Sequence, residues 1–198
     1  RAVPLLRRRY GHIAVSTSPP TAPAIVRQLQ AAGIYGGTPT ANRRGPLYRL
    51  CLRQALHPAV DAVHYLDFDR ALHWLWSDPR EYDRVLRRAA CGTDLLIGRT
   101  PKAHRSHHRP LYATENIVNR LFAERLGWPL PVDFFVPSFV LGIVTLRTLL
   151  RRSRAQDATI YGEWAAILAT LPGDRTYLEC RGLDWETPDR DRAGVRRL

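Results

Sequence analysis

Val63-His64-Tyr65-Leu66-Asp67-Phe68-Asp69 decides how this chain is read: a β-branched and aromatic run that ends in two carboxylates. The run predicts a strand over residues 63–68 that delivers Asp67 and Asp69 at its carboxyl end. In extended backbone, residues two apart point to the same side, so the two acids share a face there. Two like charges held together need a cation. A hard divalent ion such as Mn2+ or Mg2+ takes oxygen ligands and keeps positions open for substrate phosphates, which makes it the natural compensation. Arg70, His73 and Trp74 follow at once and are expected to give charge and stacking surface beside the acids. In open parallel sheets, ligands gather just beyond the carboxyl ends of the strands.

Upstream, residues 12–15 form a compact apolar run that stops at Ser16-Thr17-Ser18-Pro19-Pro20. Thr21 then caps a helix over 22–32, where Ile25, Val26, Leu29 and Ala32 recur at helical spacing until Gly33 ends it. Residues 33–40 give a short second strand or loop, and Gly45-Pro46 opens a helix over 47–56. Downstream, the pattern predicts a helix over 79–90 capped by Ser77 or Asp78, a strand over 94–98, and helices near 112–126, 141–152 and 162–171. A last strand covers 176–182. Short β-like runs alternating with longer helical ones argue for an α/β protein, a three-layer α/β/α arrangement around a mainly parallel sheet. One domain is expected over residues 1–187, followed by a charged, mobile tail over 188–198.

The bulk numbers narrow the function classes. With 198 residues and 45% hydrophobic content, the chain is long enough for one substantial core. A net charge of +12 suits an anionic ligand. Lys102 is the sole lysine, so the charge is almost entirely arginine, a skew that says little about partners. Nucleoside diphosphates satisfy it without a large basic face, and nucleic acid is not the expected partner. Cys51, Cys91 and Cys180 have no paired spacing that would suggest zinc or a disulfide framework, and a reducing cytoplasm is the expected setting. The most apolar stretch, 134–146, contains Pro137 and falls well short of the roughly 20 residues a bilayer span needs. It is read as a buried core segment, and no transmembrane segment is expected.

Strand, helix, short strand, a helix opening near Gly45 with Arg49 inside it, then a strand ending in Asp67-Phe68-Asp69: this order resembles the nucleotide-binding half of the GT-A glycosyltransferases. The string Ala41-Asn42-Arg43-Arg44-Gly45, reaching Arg49, is similar to the stretch before the D-x-D motif of that family. The resemblance covers residues 10–135. It implies a GT-A-like nucleotide-diphospho-sugar transferase fold, a sugar-nucleotide donor, an acceptor that the motifs leave undefined, and Mn2+ or Mg2+ as cofactor. It further implies that Ser16, Thr17 and Ser18 contact the nucleoside and that Arg49 reaches the diphosphate or holds the D-x-D loop. Asp69 would be the firmer metal ligand, while Asp67 faces the ribose or a coordinated water. An inverting transfer needs a base for the acceptor hydroxyl. An acid in the second half of the domain commonly serves in this family, which implies Asp133 or Glu163 here.

The densest polar cluster, Gly98 to Pro110, carries Arg99, His104 and His107 on a loop after a strand, placed to bind a phosphate or an acidic acceptor or to help hold the metal. Two other readings stay open. One is a non-catalytic domain that binds nucleotide-sugar, nucleic acid or protein through its arginine surface. The other is a haloacid-dehalogenase-type phosphatase, which also uses D-x-D after an apolar strand. Against the phosphatase, Ala71 stands where such enzymes carry Thr or Val, and the motif follows two βα units. Oligomeric state is not encoded in any motif.

Overall fold

The computed structural model describes residues 3–90, 92, 94–105, 109–128, 132–135 and 138–184. In chain order the elements are α1 (Val3–Arg7), β1 (Val15–Ser16), α2 (Pro23–Ala31), β2 (Tyr35–Gly37), α3 (Arg44–Ala55), β3 (Ala62–Tyr65), α4 (Phe68–Ser77) and α5 (Pro79–Ala89). They continue with β4 (Asp94–Arg99), α6 (Arg109–Leu126), β5 (Ser138–Gly142), α7 (Ile143–Arg152), α8 (Ile160–Ala169) and β6 (Arg175–Cys180), plus 3-10 turns at Pro101–Arg105 and Arg181–Leu183. The protein is mixed α/β and rich in helix. The chain forms two compact units, Arg1–Val63 with Leu141–Leu171, and His64–Val140 with Pro172–Leu198.

In the first unit, β1 and β2 pair in parallel, and α3 packs against both strands and against α7. The helix α3 begins three residues before the expected start. Gly45 enters its first turn because the chain lies against the Ala155 carbonyl there, and the Gly45 N–H donates to the Gln156 carbonyl at 3.2 Å. Proline is tolerated beside it, since first-turn N–H groups have no intrahelical acceptor. Leu52, Leu146, Leu149 and Ile160 are fully buried in this unit. Each contributes about 1.5–3 kcal/mol relative to an exposed side chain.

The four-stranded sheet has the order β3-β5-β4-β6, with β4, β6 and most of β5 in the second unit. β4 runs parallel to β6 and antiparallel to β5, so this sheet is mixed where a mainly parallel one was expected. The difference comes from residues 134–146. This largely apolar stretch holds both a strand and the start of a helix, and the buried strand β5 shows no alternation that would separate it from α7.

Around Asp67 the structure corrects the sequence reading. β3 stops at Tyr65, and α4 begins at Phe68 with Asp67 as its N-cap (φ −58°, ψ 131°) and Asp69 in its first turn. The same-face argument for an extended D-x-D therefore does not apply. A helix start favours acids at these positions through its exposed N–H groups and dipole. Ala71, Trp74 and Leu75 lie at helical spacing and are buried, which pulls the segment into a helix. Trp74 is a fully buried core residue rather than a stacking surface, edge-on to Tyr82 with ring centroids 5.0 Å apart. Arg70 is buried as well, donating to the Leu183 carbonyl at 2.7 Å.

His64, on β3, tilts against Tyr82 with ring centroids 5.9 Å apart, and burial pushes its pKa down from 6.5 to about 4. The native state excludes a proton that the unfolded chain accepts, so stability is complete above pH 6.5 and falls as the pH drops from 6.5 toward 4. Urea unfolding is expected to lose up to about 1.4 kcal/mol per pH unit across this window. A His64→Gln variant with the same acid slope would show that another group is responsible.

Candidate functional site

The residues named from sequence fall into two sets, each built within one unit. In the first unit, the turn after β1 presents Ser16, Thr17 and Ser18. Thr17 is buried, its hydroxyl 2.6 Å from that of Thr38, while its N–H donates to the Gly37 carbonyl at 2.9 Å. The Ser18 hydroxyl lies 3.3 Å from that of Thr21. Thr21 makes no helix cap, because Ala22 holds the N-cap position of α2. Ser16 differs from both. Its hydroxyl oxygen is buried and has no hydrogen-bond partner among the described residues. Buried polar groups are normally paired, so this hydroxyl is an exception in the first unit.

Arg49 and Glu163 belong to a single interlock in the same unit. The Arg49 guanidinium is buried and donates to the Ser153 hydroxyl at 3.3 Å and the Ala155 carbonyl at 2.6 Å. Burial lowers its pKa, opposed by the charge of Glu163. Glu163 sits in the first turn of α8, where the helix dipole favours an acid. One of its oxygens accepts from the Ser153 hydroxyl at 2.6 Å, the other from the N–H groups of Arg154 and Ala155 at 2.5 and 2.9 Å. Both residues thus fasten the 153–156 turn, Arg49 onto α3 and Glu163 onto α8. The guanidinium placed by sequence at a diphosphate is committed to the protein itself.

In the second unit, Asp69 is exposed on the first turn of α4 and accepts from the Arg70 N–H at 2.8 Å. Asp67 is half-buried and forms no side-chain cap hydrogen bond. His73, one turn beyond Asp69, is half-buried, and desolvation together with the Arg70 charge lowers its pKa. Among the described residues, no group of three or more His, Cys, Asp or Glu gathers as a ready-made metal cage. An ion at Asp67 and Asp69 would therefore complete its shell with substrate oxygens and water, as hard cations that serve phosphates commonly do.

Arg99 closes β4 and anchors a second, buried network. Its Nε donates to Asp133 at 2.5 Å and one terminal nitrogen to Glu115 at 2.6 Å, with a further bond to the other Asp133 oxygen at 3.0 Å. Burial opposes the charge on Arg99, yet Asp133 and Glu115 raise its pKa above the ordinary arginine range. Burial likewise pushes Asp133 up, and Arg99 outweighs it, so the carboxylate stays below its usual range. Asn119 and the Phe135 N–H also donate to Asp133, at 3.3 and 3.1 Å. A carboxylate with both oxygens engaged and a lowered pKa is a weak proton acceptor. His104 lies in the 3-10 turn Pro101–Arg105, its side chain outside the described residues. His107 and the 188–198 tail also lie outside them.

Sequence reasoning passed over Glu179. It is exposed near the carboxyl end of β6, the parallel partner of β4, and its pKa is raised by desolvation and by the charges of Asp184 and Asp133. Asp184 itself accepts from the N–H of Thr100 at 2.7 Å and from its hydroxyl. Position at the end of a parallel strand was the available signal, the same one that singled out Asp67. No family model matches the chain, and no curated protein or solved structure matches it.

Proposed function

We propose that this protein is a GT-A-like, metal-dependent glycosyltransferase that binds a nucleotide-diphospho-sugar and passes the sugar to an acceptor. The observation that carries the reading is the acid pair at the junction of β3 and α4: Asp67 at the helix N-cap and Asp69 exposed two residues on, just past the carboxyl end of a strand. Each carboxylate fits Mn2+ or Mg2+ by donor type, and the exposed Asp69 is the more accessible of the two as a ligand. When bound there, the ion supplies positive charge that stabilises the departing diphosphate. Glu179, exposed and with raised proton affinity, suits removal of the acceptor's hydroxyl proton better than Asp133 or Glu163, whose oxygens are engaged. That same engagement favours a second reading, in which the protein holds the nucleotide-sugar without turning it over.

A thermal-shift panel of UDP, GDP and their sugars, with and without Mn2+, tests the site. A ligand at one hundredfold its Kd is expected to raise the midpoint by roughly 5–10 °C in a chain of this size. The shift should need Mn2+ and vanish in Asp69→Ala. No shift with any nucleotide would end the proposal, and a shift without sugar release would select the binding-only form. Loss of release in Glu179→Gln with binding intact would assign the base.

A further inference from the structure

A groove of about 670 Å3 opens in the first unit, between the end of α3 and the exposed face of α7. Four of its eight lining residues are arginines, Arg53, Arg147, Arg151 and Arg154, and none is acidic. Arg53 and Arg147 make no side-chain hydrogen bond or ion pair among the described residues. Arg151 donates to the Thr148 hydroxyl at 3.1 Å and Arg154 to the Ser153 carbonyl at 2.9 Å, both neutral partners. The remaining lining is largely aliphatic: Leu56, Leu150 and Val144, which is 82% exposed. Val144, Arg147, Thr148 and Arg151 follow one another at helical spacing, so α7 presents a single stripe of apolar and cationic groups.

Four arginines around an aliphatic floor, with no acidic residue in the lining, select the occupant. Guanidinium forks bind phosphate oxygens in pairs, and their stems pack on hydrocarbon while the charged heads stay in a polar layer. Nucleic acid is a poorer match, since none of the lining residues is aromatic and bases have no stacking platform. We propose that this groove is a docking surface for anionic phospholipid, seating the protein on a negatively charged bilayer with Val144 turned into the headgroup boundary. No helix among the described residues is long and apolar enough to cross a membrane, and the groove itself would hold the protein at the headgroup layer. The inference is independent of the sugar-nucleotide reading, because all its residues lie outside that site.

Sedimentation with vesicles of phosphatidylcholine alone, and of an equimolar mixture with phosphatidylglycerol, tests it on the full chain. Binding is expected only to the mixed vesicles and should weaken with salt. The double variant Arg147→Glu/Arg151→Glu should bind at least about tenfold more weakly. Arg80→Glu/Arg84→Glu, two exposed sites on α5 with the same change in net charge, should bind like the parent. Thermal melts confirm that both variants are folded. Absence of binding by the folded parent, equal losses in the two variants, or stoichiometric displacement by inorganic diphosphate at fixed ionic strength would each overturn the proposal, the last by assigning the groove to a soluble phosphate.

Discussion

Replacing Arg99 with leucine is expected to cost about 3–5 kcal/mol of stability, because it leaves two carboxylates without their cation. The Asp133 and Glu115 side chains are only 10% and 13% exposed, and Arg99 itself 5%. Leucine supplies similar packing, so the loss measures charge rather than volume. Acid then acts in opposite senses on the two proteins. In the parent, Asp133 has a lowered pKa, so its contribution is present above the unfolded carboxylate value of 3.8 and is lost as the pH falls through the folded value. In the variant, burial is opposed only by the hydrogen bonds from Asn119 and the backbone N–H groups and raises that pKa, so protonating Asp133 relieves the strain and the deficit against the parent shrinks in acid. Arg99→Lys restores the charge without the fork and should recover only part of the loss. Urea unfolding of the three proteins at pH 7 and pH 4 checks this. A deficit under about 1 kcal/mol at pH 7, or one that grows in acid, would show that the network is not what holds β4 to Asp133.

The contrast between what was legible and what was not follows from range along the chain. α5 was readable because its signals are local: Asp78 accepts from the Glu81 N–H at 2.9 Å, Pro79 occupies the first turn, and Arg87 and Arg88 close the last. The helix α2 and the strands β4 and β6 were readable in the same way, to within a few residues. α4 was missed because the run from Val63 reads as one strand until Asp69, and only the burial of Trp74 and Leu75 reveals a helix beyond it. β5 was missed because a strand buried on both faces has no period to find. Of the candidate site, the position of Asp67 and Asp69 beyond a strand end was legible, but their backbone was not. Nothing in the sequence joins Arg99 to Asp133, 34 residues away, or Arg49 to Ala155, 106 residues away. Acids and arginines that look available in a list of residues are consumed by partners that only the fold brings near.

Gly182→Ala is expected to be the most damaging single methyl in the second unit. A Cβ at this position would overlap the indole ring of Trp74, and the indole has nowhere to move. Trp74 is fully buried and held edge-on by Tyr82, and Leu183 beside the glycine in sequence is also fully buried. The glycine cannot retreat either. The N–H groups of Arg181 and Gly182 donate to the two oxygens of Glu81 at 3.2 and 3.0 Å, and the Leu183 carbonyl accepts from Arg70 at 2.7 Å, so the turn is fixed at three successive residues. Over-packing of this kind costs about 1–3 kcal/mol where neighbours yield. Here the backbone bonds must break as well, and a loss beyond about 3 kcal/mol is expected. Gly11→Ala serves as the comparison, since nothing lies within 4 Å of its added carbon, and should stay within about 0.5 kcal/mol of the parent. Adding Trp74→Leu to Gly182→Ala removes the ring that the methyl meets, so the double variant should lose less than the sum of the single losses. Strictly additive losses in that cycle would mean that the alanine is accommodated by the turn and that Gly182 is not selected by contact with Trp74.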